Sequence, residues 1–83
     1  MTLALEFTVE PFVPGAPGPH VRAAVAAAEA TGLAVDFGPF GTTLVGPDDV
    51  VLEALSEVVR HAMDAGATRV SIQVERQGPQ DRM

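Results

Sequence analysis

Ala30-Thr31-Gly32-Leu33-Ala34-Val35 and Asp64-Ala65-Gly66-Ala67-Thr68-Arg69-Val70 close the two halves of this 83-residue chain in the same way. In each, a small-residue helix end runs into a glycine and then into apolar residues that begin to alternate. A glycine suits the left-handed conformation that commonly ends a helix. The pattern therefore predicts helix, stop and strand, twice.

Upstream of Gly32, Val21, Ala24, Val25 and Ala28 recur at the spacing of one helix face. Pro19 fits the first turn of that helix, where its missing N–H is not needed. Upstream of Gly66, Val51, Leu55, Val58 and Ala62 form a second apolar stripe, widened by Leu52, Val59 and Met63. Pro47 fits its first turn, and Asp48 and Asp49 suit the positive end of its dipole.

The remaining segments read as strands. Leu3, Leu5, Phe7 and Val9 alternate with Ala4, Glu6, Thr8 and Glu10, the period-two signature of a half-buried strand. Pro11 ends it, and residues 11–19, with four prolines and two glycines, form a loop. Leu33, Val35 and Phe37 predict a second strand, residues 42–45 a third, and residues 69–75 a fourth, with Val70, Ile72 and Val74 on one side. The order is β-α-β-β-α-β. Two right-handed βαβ units sharing one sheet give the ferredoxin-like α/β (α+β) sandwich: an antiparallel four-stranded sheet with both helices on one face.

The expectation is one domain over residues 1–77 and a polar tail over 78–83. A chain of this length buries only about 60% of its unfolded surface, and such small domains often gain burial by oligomerising. With 47% hydrophobic and 19% charged residues, it has the composition of a folded domain. Cysteine is absent, which removes disulfides, thiolate metal sites and thiol nucleophiles and fits a cytoplasmic setting. The first residues lack the pattern of a secretory signal, and no apolar run approaches the roughly 20 residues of a membrane span. The net charge is −6, and the five basic residues are scattered arginines. Nucleic acid would need a concentrated positive surface, so neither it nor a membrane is an expected partner.

With the helices on one face, the other carries Glu6, Thr8, Glu10, Asp36, Ser71, Gln73 and Glu75. The third strand adds Thr43 and Val45 or Thr42 and Leu44, according to register. This polar, hydroxyl-rich face is one candidate site. The turn Gly38-Pro39-Phe40-Gly41-Thr42-Thr43, which holds an aromatic beside two hydroxyls, is the other.

Catalysis is not expected. His20 and His61 read as surface residues without a nucleophile at a recognisable spacing, although Glu6, Asp36 or His20 would be the acid–base groups of an enzyme. The phosphate loop and asparagine of an acylphosphatase are missing, since the chain has no asparagine. The stacking aromatics of an RNA-recognition domain are missing from the outward strand positions. Glu6, Glu10, Asp36 and Glu75 could gather around a hard cation, but alternating carboxylates usually mark a solvated face; no metal is expected.

Residues Glu6-Phe7-Thr8-Val9-Glu10-Pro11, Gly38-Pro39-Phe40-Gly41-Thr42-Thr43-Leu44-Val45-Gly46 and Ala65-Gly66-Ala67-Thr68-Arg69-Val70-Ser71 together resemble the thiamine-binding protein family. The resemblance implies non-catalytic binding of thiamine or its hydroxymethylpyrimidine precursor, as a ligand and not as a catalytic cofactor, for salvage, storage or delivery. It also implies self-association to dimers or tetramers. Thr42 is the ligand contact carried over from the Gly-Thr turn. Thr43, Phe40, Gly41, Glu6, Thr8, Asp36, Ser71 and Gln73 complete the candidate set from their positions. A thiazolium cation favours carboxylates and an aromatic face, and the acidic chain favours the unphosphorylated vitamin over its diphosphate. The alternative reading is a homo-oligomeric regulatory or structural module with an unknown small ligand.

Overall fold

The computed structural model describes residues 2–13, 15–38 and 41–77. The element order is β1 (Thr2–Glu10), α1 (Pro19–Glu29), β2 (Val35–Phe37), β3 (Thr42–Pro47), α2 (Asp48–Asp64) and β4 (Arg69–Gln77). The strands form one antiparallel sheet in the order β2-β3-β1-β4. This is the expected ferredoxin-like α+β arrangement. The expected tail, residues 78–83, lies outside the described residues.

The alternation in β1 sorts its side chains as predicted. Leu3, Leu5, Phe7 and Val9 are buried beneath the helices, beside Leu44 of β3. Each large apolar side chain removed from water contributes about 1.5–3 kcal/mol. Val21, Ala24 and Ala28 of α1 and Val51, Ala54, Val58 and Ala62 of α2 complete the core. The alanines matter because they let the helices pack closely along each other. The stripe of α2 is therefore centred on Ala54, and Leu55 is only half-buried; Leu52 and Met63, expected to widen it, stand exposed.

Both helix ends follow the glycine argument. Gly32 and Gly66 have φ of +84° and +107°, the region glycine enters without steric cost. After α1 the Thr31 hydroxyl donates to Ala28 O at 2.7 Å and accepts from the Leu33 N–H at 3.1 Å. That bracket sets Leu33 against β3, where a Cβ on Gly46 would lie 2.5 Å from Leu33 Cδ1. Leu33 is thus outside β2, which is shorter than its alternation implied. β3 runs further than expected, to Pro47, which serves as the N-cap of α2 and not as its first-turn residue.

Candidate functional site

The β1–β3 register settles which side each threonine of the turn faces. Phe7 is opposite Thr42, and Glu6 is opposite Thr43. Thr42 therefore shares the helix-facing side with Phe7 and Leu44, and is 3% exposed. Thr43 lies on the open side of the sheet. There Asp36, Thr43, Glu6 and Gln73 stand in one row across the four strands, with Thr8 and Ser71 paired in the next row. Gly41 precedes β3, and a Cβ on it would lie 3.3 Å from Glu6 Oε2 and 3.5 Å from Thr8 Cγ2. The sheet thus divides the candidate residues between its two faces. Phe40 lies outside the described residues.

Two depressions correspond to this division. Glu6, Thr8, Ser71 and Gln73 line a shallow one on the open face, of about 260 Å3. The better-formed cavity is on the helix side, at the end of β1, and measures about 200 Å3. Phe7, Val9, Phe12, Val21 and Phe37 wall it, and Thr8, Glu10, Gly38, Gly41 and Thr42 complete its lining. Three of the chain's four phenylalanines meet here. Phe37, which alternation sets on one side of β2 with Leu33 and Val35, is 48% exposed. β2 is an edge strand of three residues, and Phe37 is its last.

Thr42 is the one buried polar side chain among the described residues. Among those residues its hydroxyl makes no hydrogen bond. A hydroxyl removed from water without a partner is unfavourable, and such groups in native proteins are usually satisfied by something. Its place in the cavity lining offers that partner a location.

The β1–α1 loop closes one side of the cavity. The imidazole of His20, in the first turn of α1, bonds to Pro11 O. Arg22 Nη1 donates to Pro17 O at 2.6 Å. These two tethers hold the loop that carries Phe12 against α1. Phe12 was missed in the sequence because it sits alone among prolines, outside any periodic pattern. A lone aromatic in a proline-rich loop was the available signal.

The histidines differ from one another. His20 ties the loop, whereas His61 Nε2 lies 3.2 Å from Glu57 Oε1 on the exposed side of α2. This i,i+4 neighbour is an acid partner that the sequence reading of His61 had not assigned. Among the described residues, no three His, Asp or Glu side chains gather in the manner of a metal site. Glu6, Glu10, Asp36 and Glu75 therefore do not converge on a cation. Among the same residues no helix is long and apolar enough to cross a membrane.

Fold and cavity together define the class: a small ferredoxin-like domain with an aromatic-walled pocket at one end of its sheet. The chain belongs to the thiamine-binding protein family, whose model matches residues 5–82. The family ties the protein to thiamine. A domain of unknown function from Bacillus cereus is 26% identical with a TM-score of 0.71, over 93% of this chain and 77% of that one. A Streptococcus pneumoniae protein is 23% identical with a TM-score of 0.73, over 95% and 89%. A candidate thiamine biosynthesis/salvage protein from Thermotoga maritima is 20% identical with a TM-score of 0.69, over 93% and 85%. No curated protein matches the sequence.

Proposed function

We propose that this protein binds thiamine, or its hydroxymethylpyrimidine part, without chemical turnover, in the helix-side cavity at the end of β1. The observation that carries the reading is the Thr42 hydroxyl, without a partner among the described residues and buried in the lining of an aromatic pocket in a member of a family named for thiamine binding. A substituted pyrimidine is flat, apolar on its faces and polar at its edge. The phenylalanines suit the faces, and a threonine hydroxyl can donate to or accept from the edge. A volume of about 200 Å3 is below the roughly 300–1,000 Å3 of sites for drug-sized ligands, which fits a single ring. Among the described residues that line this cavity, no side-chain pair resembles a nucleophile with its base, and the proposed role is capture: salvage, storage or delivery, in the cytoplasm.

Isothermal titration with thiamine, hydroxymethylpyrimidine and thiamine diphosphate tests this. The expected result is saturable binding of thiamine near one per chain in the micromolar range, about −8 kcal/mol. The diphosphate should bind more weakly, since the net charge of −6 opposes a polyanion. No heat and no thermal shift with any of the three would refute the proposal.

A second reading is favoured by the open face, where Val45 stands exposed beside a polar row. In it the protein is a homo-oligomeric module, a dimer or tetramer, that buries this face against its own copy. Arg69, at the end of the face, would then offset the carboxylates. Sedimentation as a monomer at every salt concentration would eliminate that reading.

A further inference from the structure

β4 is the edge of the sheet farthest from β2, and along its nine residues the outer backbone groups have no strand partner among the described residues. Such an edge is a template for another strand, and proteins usually blunt it with short strands, bulges, proline or lysine. β2, the opposite edge, is three residues long. β4 carries neither proline nor lysine, and its centre, Val70-Ser71-Ile72-Gln73-Val74, is uncharged. The surface beside it is apolar. α2 packs on β1, β3 and β4, whereas α1 packs on β1 and β2. One flank of α2, with Glu53 and Glu57, lines a hollow against Ala27 and Ala30 of α1. At about 3.6 residues per turn, Leu52, Leu55, Val59 and Met63 fall on the other flank, above β4. Leu52 and Met63 are 52% and 49% exposed, and Val74, on the same side of the sheet as Leu5, is 41% exposed. The stripe of α2 is thus wider than the core of one chain uses, and the surplus lies along the unpaired edge.

We propose that β4 pairs antiparallel with β4 of a second copy, with Ile72 on the two-fold axis, joining the two four-stranded sheets into one. The register follows from charge. Residues directly opposite each other share one side of the sheet, so slips that keep apolar against apolar come in steps of two. With Ile72 opposite its own copy, Val70 meets Val74, Ser71 meets Gln73 and Arg69 meets Glu75, each on both sides of the axis. Arg69 and Glu75 are exposed, and among the described residues neither makes an ion pair within the chain. A slip of two in one direction sets Arg69 against Gln73; in the other it sets Arg69 against Gln77 and Val70 against Arg76. Both lose the charge pairs. A second copy is the occupant because the charges that complement this strand are its own. The outer flanks of the two α2 helices then face each other across the axis, above the joined strands. The inference rests on no ligand, and it differs from packing through the open face, which would leave the β4 edge unpaired.

The chain has no cysteine, so one introduced thiol reports the axis. Residues paired across antiparallel strands have Cα atoms about 4.5–5.5 Å apart, within disulfide reach. Ile72→Cys treated with oxidised glutathione should become a covalent dimer. Sedimentation of wild type without ligand should give a dimer. Arg69→Glu and Glu75→Arg each set like charges opposite one another and should weaken it by about tenfold, and the double variant R69E/E75R should restore it. Both positions are exposed, so this readout stands even if I72C fails to fold. Val45→Glu, on the open side, should leave the dimer intact. A wild-type monomer at every concentration overturns the proposal. So does a dimer that persists in both charge variants, a double variant as weak as the single ones, or a folded I72C dimer that does not cross-link. A dimer lost in V45E and kept in R69E lies on the open face and likewise overturns it.

Discussion

Thr42 faces Phe7 across the β1–β3 ladder, and this pairing places a threonine side chain on the buried side of the sheet with nothing among the described residues to receive its hydroxyl. Its neighbour Thr43 faces Glu6 on the open side. One step in register separates a core position from a solvated one.

Replacing Thr42 by valine should move stability and affinity in opposite directions. Valine keeps the shape and removes a hydroxyl that has no partner among the described residues, so unfolding free energy should rise by about 0.5–1 kcal/mol. Ligand affinity should fall by about 0.5–1.5 kcal/mol, the net worth of one neutral hydrogen bond. Urea denaturation and calorimetry on the same variant check both signs. Unchanged affinity removes Thr42 from the site.

Changes on the open face should leave binding alone. Glu6→Gln, Thr43→Val and Gln73→Ala lie on the far side of the sheet from the helix-side cavity. Each should keep the dissociation constant within about twofold, less than the ~1.4 kcal/mol that separates tenfold affinities. A larger loss in any of them would move the site to the depression between β1 and β4.

Gly46→Ala should destabilise the fold. The added Cβ would sit 2.5 Å from Leu33 Cδ1 and 2.9 Å from Leu33 Cδ2. Leu33 is half-buried and can shift, so the cost should be near the lower end of the overpacking range, about 1 kcal/mol. The double variant with Leu33→Ala should cost less than the sum of the two single changes, as expected for residues in contact. Strict additivity by thermal or urea unfolding would show that the two side chains do not collide.

Leu5→Ala should be the most damaging of these changes. Leu5 is fully buried and pairs with Leu44 on one side and Val74 on the other. Truncating such a leucine costs about 2–5 kcal/mol, against a total stability of about 5–15 kcal/mol for a typical domain. Circular dichroism should show a lowered midpoint or a largely unfolded chain. A near-native midpoint would mean that the core collapses around the gap.

Most of the fold was legible because its signals are local. The alternation of residues 3–10, the apolar spacing before Gly32 and Gly66, and the prolines and aspartates at helix starts each act within a few residues. Their sum allows one strand order for a right-handed βαβ pair. Where the reading slipped, a distant contact had intervened. Leu55 yielded the centre of its stripe to Ala54 because the facing helix approaches closely. Leu33 left its strand because the Thr31 bracket and Gly46 offered it a better seat.

The site was legible only as a set of residue types. Thr42 and Gly41 were singled out from the turn and line the helix-side cavity, whereas Thr8, from the first strand, pairs with Ser71 on the open face and borders both depressions. Glu6, Thr43, Asp36, Ser71 and Gln73 were grouped with them and fall on the opposite face. Sequence by itself determined the elements, their order and the family, because these follow from periodicity and motif along the chain. Tertiary structure alone decided the register that sends Thr42 inward. It also brought Phe12 and Phe37, 25 positions apart in sequence, to one cavity. Both depend on which strand end and which loop meet in space, and no local pattern carries that distance.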